Sequence, residues 1–177
     1  YDFYKKHLVY PNAKPNFAHK YLARLEQVGK LATVITQNID YLHEMAGSKN
    51  VLKLHGTVDS NTCIICNKKY NMEEFLEICE IENIPHCSKC GGIIKPDVTL
   101  YEEVPDPDTF RKAINEISRA DTLIIGGTSL IVYPAASLVQ YFQGKNLVLI
   151  NKSKTEQDNF ANLVIHESIG EIFKNLK

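Results

Sequence analysis

The chain has 177 residues, of which 44% are hydrophobic and 23% are charged, and its formal net charge is −1. This composition is typical of a globular protein with a real hydrophobic core, either one domain or one domain with a small additional module. A charge near zero gives no electrostatic footprint for nucleic acid, and the longest apolar run is far too short to cross a bilayer. We therefore expect no nucleic-acid partner and no membrane partner.

The first third of the chain predicts helices and strands in alternation. Residues 15–29 place apolar side chains at helical spacing and end near a glycine, which predicts a helix. LATVIT at 31–36 and NVLKLHGT at 50–57 predict two strands. Between them, IDYLHEMAG predicts one or two helical turns that end at Gly47.

Residues 58–95 differ from their surroundings because they hold all the cysteines and lack sustained apolar periodicity. Cys63 and Cys66 form one CxxC pair, and Cys87 and Cys90 form a second pair after a gap of 20 residues. Each pair presents two thiolates from one tight turn, and two such turns complete the tetrahedral site typical of structural zinc. Because a closed four-thiolate site leaves no position for water, we expect it to hold a small module together.

The cysteine count also bears on the cellular compartment. An odd number of cysteines argues against a secreted disulfide framework, and the paired CxxC motifs favour a metal site in a reducing compartment. We therefore expect a cytoplasmic protein. Cys79 lies outside both pairs on a predicted helix, and we expect it to be a buried apolar residue.

The rest of the chain returns to strands and helices. KPDVTLY at 95–101 predicts an extended segment, and Asp106 or Asp108 could cap the helix that follows it. DTLIIGGTSL predicts a strand that enters a glycine turn, and YPAASLVQYFQG predicts a helix between Pro134 and Gly144. NLVLIN and NLVIH predict two more strands, and ESIGEIFKNL predicts a last amphipathic helix.

Strands that alternate with helices and are solidly apolar indicate a parallel sheet covered on both faces. The predicted fold class is therefore α/β, a Rossmann-like parallel sheet with helices on both faces plus a small zinc-binding module. The predicted domains are residues 1–57 together with 96–177 for the Rossmann-like part, and residues 58–95 for the zinc-binding module.

The glycine turn in IIGGTSL is one candidate ligand site. A strand enters the turn, and Thr128 and Ser129 offer hydroxyls before the next helix. Glycines allow phosphates to approach the backbone, and unpaired N–H groups at a helix start favour anions. The pattern is not the standard GxGxxG, and on its own it is more typical of an ordinary connection between a strand and a helix.

Polar residues that follow two predicted strands form another candidate site. Gln37, Asn38 and Asp40 follow one strand, and His55 ends the other, where ligands of open parallel sheets bind. His55 could act as a general base near neutral pH. The alternative is that Asn38 and Asp40 cap a short helix and His55 is a turn residue. We expect the remaining histidines to be structural or exposed: His7, His19, His43, His86 and His166.

Taken together, the motifs of this chain resemble one family closely. TQNID.LH..AG, LHGT, the paired CxxC motifs, KPDV.LY.E, GTSL.V.PAA and LIN occur in the order and spacing of the sirtuins, which are NAD-dependent protein-lysine deacylases. The match runs from about residue 15 to the end and resembles the small bacterial type. It implies an enzyme that uses NAD, contains one structural zinc ion, acts on acyl-lysine proteins or peptides, and releases nicotinamide and O-acyl-ADP-ribose.

The resemblance also implies roles for individual residues. His55 would be the catalytic base that takes a proton from a ribose hydroxyl, and Asn38 and Asp40 would bind and twist the nicotinamide. The cofactor-binding residues that it implies are Gln37, Asn38, Ile39, Asp40, Gly127, Thr128, Ser129, Asn151, Lys152, Ser153 and Ile169. The substrate-binding residues that it implies are Val98, Tyr101 and Val132.

Two other functions stay open beside deacylation. The same site could transfer ADP-ribose to a protein side chain, or the chain could be a catalytically inactive module that binds zinc and a peptide. His55 favours deacylation, because its expected task is to activate the ribose hydroxyl.

The chain departs from the sirtuin pattern in three places. Sirtuins carry a glycine-rich GAG phosphate loop before the point where this chain begins, so we expect a longer protein and weak NAD binding by these 177 residues alone. Tyr41 stands where the family usually has glycine, beside the expected nicotinamide pocket. Glu102 also replaces a glycine, on the loop that is expected to meet the substrate, where glycine would allow close backbone approach.

Overall fold

The computed structural model describes residues 1–176, which form two compact units. The first, which we call the cysteine unit, contains residues 1–14, 38–41 and 55–105. The second, which we call the parallel-sheet unit, contains residues 15–37, 42–54 and the described chain from residue 106 onward. Within residues 1–176, no helix combines the length and the apolar character that a membrane span requires.

Short strands and helices follow one another along the whole chain. In order they are α1 (Asp2–His7), α2 (Phe17–Gln27), β1 (Val34–Thr36), α3 (Leu42–Met45), β2 (Val51–Lys53), β3 (Gly56–Cys63), β4 (Lys69–Asn71), α4 (Met72–Ile81), β5 (Ile94–Val98), α5 (Pro107–Arg119), β6 (Thr122–Gly126), β7 (Asn146–Ile150), β8 (Leu163–Ile165) and α6 (Ile169–Lys174). Two 3₁₀ helices cover Ala135–Tyr141 and Asp158–Phe160.

The parallel-sheet unit contains two parallel sheets. β6, β7 and β8 pair in that order, with Gly126 opposite Ile150 and Ile150 opposite Ile165. β1 and β2 form a separate two-stranded parallel sheet. Two apolar clusters join helices to these strands. The buried members of the first are Leu54, Ala113, Ile117, Ala135 and Leu138. The buried members of the second are Ala18, Ile150 and Phe173. The predicted α/β class, with parallel strands and packed helices, is confirmed.

Side-chain caps determine where the two long helices of this unit begin. The Asn16 side chain accepts hydrogen bonds from the backbone N–H groups of Ala18 and His19, so α2 begins at Phe17. Asp106 accepts from the N–H groups at the start of α5, which identifies it, rather than Asp108, as the capping residue.

One predicted helix differs in type from the structure. YPAASLVQYFQG forms a 3₁₀ helix over Ala135–Tyr141 instead of an α-helix. Both the backbone N–H and the hydroxyl of Ser137 donate to the carbonyl of Pro134, three residues earlier. That i to i−3 spacing is the hydrogen-bond pattern of a 3₁₀ helix, and a serine hydroxyl that bonds to the backbone competes with α-helical bonding.

The cysteine unit is built on an antiparallel sheet with the strand order β4-β3-β5. Its core contains Phe75 and Ile94, which are fully buried, together with Tyr4, Val58 and Val98. The Tyr4 hydroxyl donates to the carbonyl of Val58 at 2.9 Å, which attaches α1 to β3. Cys79 on α4 is 3% exposed, which confirms the prediction that it is a buried apolar residue.

The cysteine unit is larger than the module predicted from the cysteines. Residues 1–14 and 38–41 belong to it, and it extends from residue 55 to residue 105. The predicted division into residues 1–57 with 96–177 and residues 58–95 stays a prediction.

Candidate functional site

The four cysteines of the CxxC pairs converge within the cysteine unit. Their sulfur atoms all lie within 4.8 Å of one another, with Cys63 Sγ 3.5 Å from Cys90 Sγ and Cys66 Sγ 3.6 Å from Cys87 Sγ. A tetrahedral site with zinc–sulfur bonds of about 2.3 Å separates its sulfur atoms by about 3.8 Å. The donor set and its spacing therefore fit a zinc ion.

Each CxxC pair sits on a turn that bends the chain around the thiols. At the end of β3, Cys63 N–H donates to the carbonyl of Lys68 and Asn67 N–H donates to the carbonyl of Cys63. In the second turn, the carbonyl of Cys87 accepts from the N–H of Gly91, whose φ of +71° lies in the left-handed region that favours glycine. The two turns bring together cysteines that are far apart in the sequence.

A buried tyrosine contacts one of the thiols. The Tyr70 hydroxyl donates to Cys87 Sγ at 3.1 Å and accepts from the backbone N–H of Ser88 at 3.0 Å. Lys68 Nζ lies 4.6 Å from the centre of the Tyr70 ring and donates to the hydroxyl of Ser88 at 2.9 Å. The CxxC spacing predicts the four thiols, but it does not predict the contact with Tyr70. A buried tyrosine on a strand such as β4 is common in protein cores and does not by itself indicate a role at a metal site.

Hydrogen bonds favour the thiolate form at two of the four cysteines, Cys63 and Cys87. At Cys90, by contrast, a lowering of the pKa by the backbone N–H of Gly92 is outweighed by the neighbouring thiols and burial, which raise the pKa. The hydroxyl of Tyr70 has the largest effect in lowering the pKa of the Cys87 thiol to about 6, with smaller effects from backbone N–H groups and an opposing effect of desolvation. The backbone N–H of Cys66 is the main cause of a lowered pKa at Cys63. A thiol that loses its proton readily binds a metal ion without the cost of deprotonation at neutral pH.

The cysteine unit also holds the residues for which catalytic roles are predicted. The carbonyl of Ile39 accepts from the N–H of Val58 at 2.9 Å, which fixes the 38–41 segment to β3. The carbonyl of His55 accepts from the N–H of Thr99 at 3.0 Å, just beyond β5. Asp40 and His55 are half-buried, whereas Asn38 is exposed. Backbone hydrogen bonds thus hold the segments with the predicted nicotinamide and catalytic residues next to the antiparallel sheet of this unit.

Gly56 allows the chain to pass directly against β5 after His55. Its φ is +77°, and a Cβ placed on it would collide with the backbone carbonyl oxygen of Asp97. Both the left-handed backbone and the close approach require glycine here. Gly56 therefore determines how His55 is held next to the segment that contains Val98.

The parallel-sheet unit places the predicted phosphate and adenosine residues at the carboxyl ends of its strands. Gln37 follows β1, and its side-chain amide donates to the hydroxyl of Thr128 at 3.3 Å. Gly127 has a φ of +65° and open space on its Cβ side, and Ser129 is exposed. The Ile169 side chain packs so closely against the neighbouring Gly126 that a Cβ there would collide with it.

The carboxyl end of β7 contributes a second group of polar residues. Asn151 donates through its side-chain amide to the carbonyl of Ser153 at 2.9 Å and through its backbone N–H to the carbonyl of Ile165. His166 lies next to it, with Nδ1 3.1 Å from the Asn151 carbonyl and Nε2 3.2 Å from Asp158. Lys152 is exposed. His166 was expected to be structural or exposed, and it is exposed with these two contacts.

The predicted substrate residues differ in exposure. The Val98 side chain is buried at 7% exposure, so only its backbone is available to a peptide. Tyr101 is fully exposed, and Val132 is 52% exposed. Glu102, one of the departures from the sirtuin pattern, has a φ of +71°.

Comparison with known proteins gives consistent matches over nearly the whole chain. The sequence model of a protein family, described as the Sir2 family, matches residues 1–134. An NAD-dependent protein deacetylase of Clostridium perfringens is 60% identical over 173 residues, which cover 97% of this chain and 70% of that protein. Another from Clostridium acetobutylicum is 51% identical over 176 residues, which cover 99% of this chain and 71% of that protein.

Solved structures match at the level of the fold as well. A Sir2 protein with a p53 peptide and NAD+ has a TM-score of 0.92 and 40% identity, with 98% of this chain and 74% of that chain covered. A Sir2 protein bound to an acetylated peptide has a TM-score of 0.89 and 38% identity, with 98% of this chain and 79% of that chain covered.

Proposed function

This chain belongs to the Sir2 family, and we propose that it is an NAD-dependent protein-lysine deacylase that releases nicotinamide and forms O-acyl-ADP-ribose. One observation carries the proposal: 60% identity over 97% of the chain to an NAD-dependent protein deacetylase. Similar structures that contain NAD+ and acetylated or propionylated peptides support the same cofactor and substrate class. The substrates we propose are therefore acyl-lysine proteins or peptides.

The residues of the parallel-sheet unit fit the dinucleotide. When bound, NAD supplies an ADP-ribosyl group whose bond to nicotinamide is broken in the reaction. The backbone at Gly127 has open space beside it, so that phosphate oxygens can approach it. Thr128 and Ser129 carry hydroxyl groups that can form hydrogen bonds with phosphate and ribose oxygens. We assign phosphate and ribose binding to this turn, and binding of the nicotinamide ribose to Gln37. We assign the adenosine side to Asn151, Lys152, Ser153 and Ile169.

The residues of the cysteine unit fit the reacting end of the cofactor. Asn38 and Asp40 would bind the nicotinamide, and Ile39 packs against the core of the unit and holds both in place. A half-buried imidazole can accept a proton from a ribose hydroxyl, which is the role we assign to His55. We also assign substrate contacts to Tyr101 and to Val132.

The zinc site has a structural role in this proposal. Four thiols complete the coordination shell and leave no position for water, so the ion would stabilise the turns and take no part in proton or acyl transfer. The five cysteines form no disulfide, and four of them are arranged for a metal ion, which is typical of a reducing compartment, so we propose a cytoplasmic location.

The proposal is tested by incubating the complete protein with NAD and an acetyl-lysine peptide. Equal release of nicotinamide and deacetylated peptide is the expected result. Loss of nicotinamide with labelling of protein would indicate ADP-ribosyl transfer instead, and no reaction would indicate a module that only binds. His55→Ala should abolish deacylation while zinc content stays at the parent value, and deacylation at the parent rate would refute the assigned base.

A further inference from the structure

A tight turn directly after β5 carries two exposed side chains. The N–H of Glu103 donates to the carbonyl of Leu100 at 3.1 Å, and the N–H of Leu100 donates to the Glu103 carboxylate at 2.9 Å. These two bonds fix the turn, and Tyr101 and Glu102 occupy its tip with exposed side chains. The ring of Tyr101 does not pack against the core of the unit.

Glu102 adopts a backbone conformation that is unfavourable for glutamate. Its φ of +71° lies in the left-handed region, which costs a residue with a Cβ about 1–2 kcal/mol relative to glycine. Such conformations persist where the surrounding structure imposes them, and they cluster at sites that bind ligands. Here the two hydrogen bonds between Leu100 and Glu103 impose the turn, and the exposed side chain of Glu102 gains nothing from packing.

The charge of Glu102 is not balanced within the turn. Lys95 Nζ forms an ion pair with Glu103 at 2.9 Å, and Lys69 Nζ forms one with Asp97 at 3.0 Å. These pairs use both carboxylates and both ammonium groups. Among residues 1–176, neither an ion pair nor a hydrogen bond is formed by the Glu102 carboxylate. The tip of the turn therefore presents one negative charge beside one aromatic ring.

The turn lies close to the proposed catalytic base. Thr99 N–H donates to the carbonyl of His55, and three residues connect Thr99 to Glu102, a span of at most about 11 Å. β5 is an edge strand, because the sheet order is β4-β3-β5. An extended peptide can add to such an edge, with neighbouring side chains spaced about 3.3 Å apart along the strand direction.

We propose that Tyr101 and Glu102 select acyl-lysine substrates with an arginine or lysine within about three residues of the acylated lysine. The inference rests on the proposed deacylase function and names the substrate class for that site. A carboxylate attracts the cation directly, and an adjacent aromatic face attracts it through its quadrupole. A turn with glycine at position 102 would lack the charge.

The test compares two acetyl-lysine peptides that differ only in charge. One carries arginines at the positions flanking the acetyl-lysine, and the other carries citrulline, the neutral isostere, at the same positions. Peptide affinity is measured by fluorescence anisotropy, and kcat/KM is measured from nicotinamide release by the complete protein. We expect the arginine peptide to be favoured by about two- to five-fold, the size of one exposed ion pair.

Two variants separate Glu102 from general charge effects. Glu102→Gln removes the charge, keeps the shape, and should bring the ratio of the two peptides close to one. Glu77→Gln on α4 removes an exposed carboxylate from the same unit and should leave the ratio at the parent value. Raising the salt concentration should shrink the parent ratio, because exposed charges are screened.

Two results would overturn the inference. One is that the parent protein binds and deacetylates the arginine and citrulline peptides equally well. The other is that Glu102→Gln keeps the full preference of the parent for the arginine peptide. A different result would contradict only the deacylase function. If the arginine peptide binds more tightly in a Glu102-dependent way but no nicotinamide is released, the charge selection stands and the reaction has to be reassigned.

Discussion

The Tyr70 hydroxyl donates a hydrogen bond to Cys87 Sγ at 3.1 Å, so that one of the four zinc-binding thiols is held by a side chain that does not itself bind the ion. The same hydroxyl accepts from the N–H of Ser88, which fixes its direction. Hydrogen bonds of this kind orient a ligand and stabilise its charged form.

Tyr70→Phe should speed the loss of zinc. The substitution keeps the buried ring, which is 5% exposed, and removes only the hydroxyl that stabilises the Cys87 thiolate. Loss of a hydrogen bond to a metal ligand typically weakens affinity by about 10- to 100-fold, so we expect zinc transfer to a chromophoric chelator to be faster by about ten-fold. Tyr10→Phe, at a site that is 68% exposed, is the control. An unchanged transfer rate in Tyr70→Phe would contradict the prediction.

Cys90→Ser and Cys79→Ser should differ in zinc content. Cys90 is one of the four converging thiols, so its loss opens the site and should reduce bound zinc well below one ion per chain. Cys79 lies apart from the cluster in the core, so Cys79→Ser should lose stability but keep its zinc. Elemental analysis of the purified variants measures both. Full zinc occupancy in Cys90→Ser would show that three thiols suffice.

Most elements of the parallel-sheet unit and the four cysteines of the metal site could be predicted from the sequence, whereas the antiparallel sheet could not. Local signals such as the Asn16 cap, the Asp106 cap and the CxxC spacing depend on residues a few positions apart. β3 has the sequence GTVDSNTC, in which only Val58 and Cys63 are apolar, so it shows no strand pattern. Its pairing with β5 joins residues more than 30 positions apart and depends on the fold of the whole unit.

The same limit applies to the candidate site. The residues at strand ends could be proposed from their chemistry, but the contact between Gln37 and Thr128 joins residues 91 positions apart, and no spacing predicts it. The left-handed backbone conformation of Glu102 could not be predicted either, because glutamate rarely adopts a positive φ. Sequence reasoning thus located the chemical groups, and the structure supplied their partners.

Asp97 should make stability depend on pH in the acid range. Burial raises the pKa of its carboxyl, but hydrogen bonds from Ser60 at 2.5 Å, Thr62 at 2.6 Å and Lys69 at 3.0 Å outweigh burial and lower the pKa below the ordinary 3.8. The unfolded state therefore binds the proton more readily than the folded state. The carboxylate stabilises the fold above its unfolded pKa, and this contribution is lost as the pH falls through the folded pKa.

Asp97→Asn provides the measurement for this pH dependence. At neutral pH the variant should be less stable than the parent, because the ion pair with Lys69 and the charged hydrogen bonds are weakened. The difference should begin to shrink as the pH falls below 3.8, the ordinary pKa of an aspartate, because the unfolded chain then takes up a proton at Asp97 before the folded protein does. Urea unfolding at several pH values tests this, with the exposed Asp121→Asn as control. A difference that stays constant between pH 7 and pH 3 would rule out the carboxylate as its source.

Glu102→Gly should stabilise the protein. Glycine adopts a positive φ without a steric penalty, so the variant should gain about 1 kcal/mol of unfolding free energy, although glycine also gains freedom in the unfolded chain. Glu77→Gly, within α4, should lose about 1 kcal/mol, which gives a control of opposite sign. Chemical denaturation measures both. A loss of stability in Glu102→Gly would mean that the glutamate side chain contributes a contact that offsets its backbone conformation.

Asn61→Leu should also raise stability. Asn61 lies on β3 between Tyr70 and Pro96 and is fully buried, and among residues 1–176 its side-chain nitrogen and oxygen have no hydrogen-bond partner. An unpaired buried amide costs about 1–3 kcal/mol, and leucine has nearly the same shape without that cost. We expect a gain of about 1 kcal/mol in the free energy of unfolding, measured by chemical denaturation.

A second asparagine in the same unit gives the matched control. The Asn71 side chain caps α4 by accepting from the N–H of Glu74 at 2.8 Å, so Asn71→Leu should lower stability by about 1 kcal/mol. The two variants make the same chemical change, and only the hydrogen bonding of the amide differs between them. If Asn61→Leu were destabilising to the same extent as Asn71→Leu, the amide of Asn61 would have to be paired in solution, and β3 would owe part of its position to that bond.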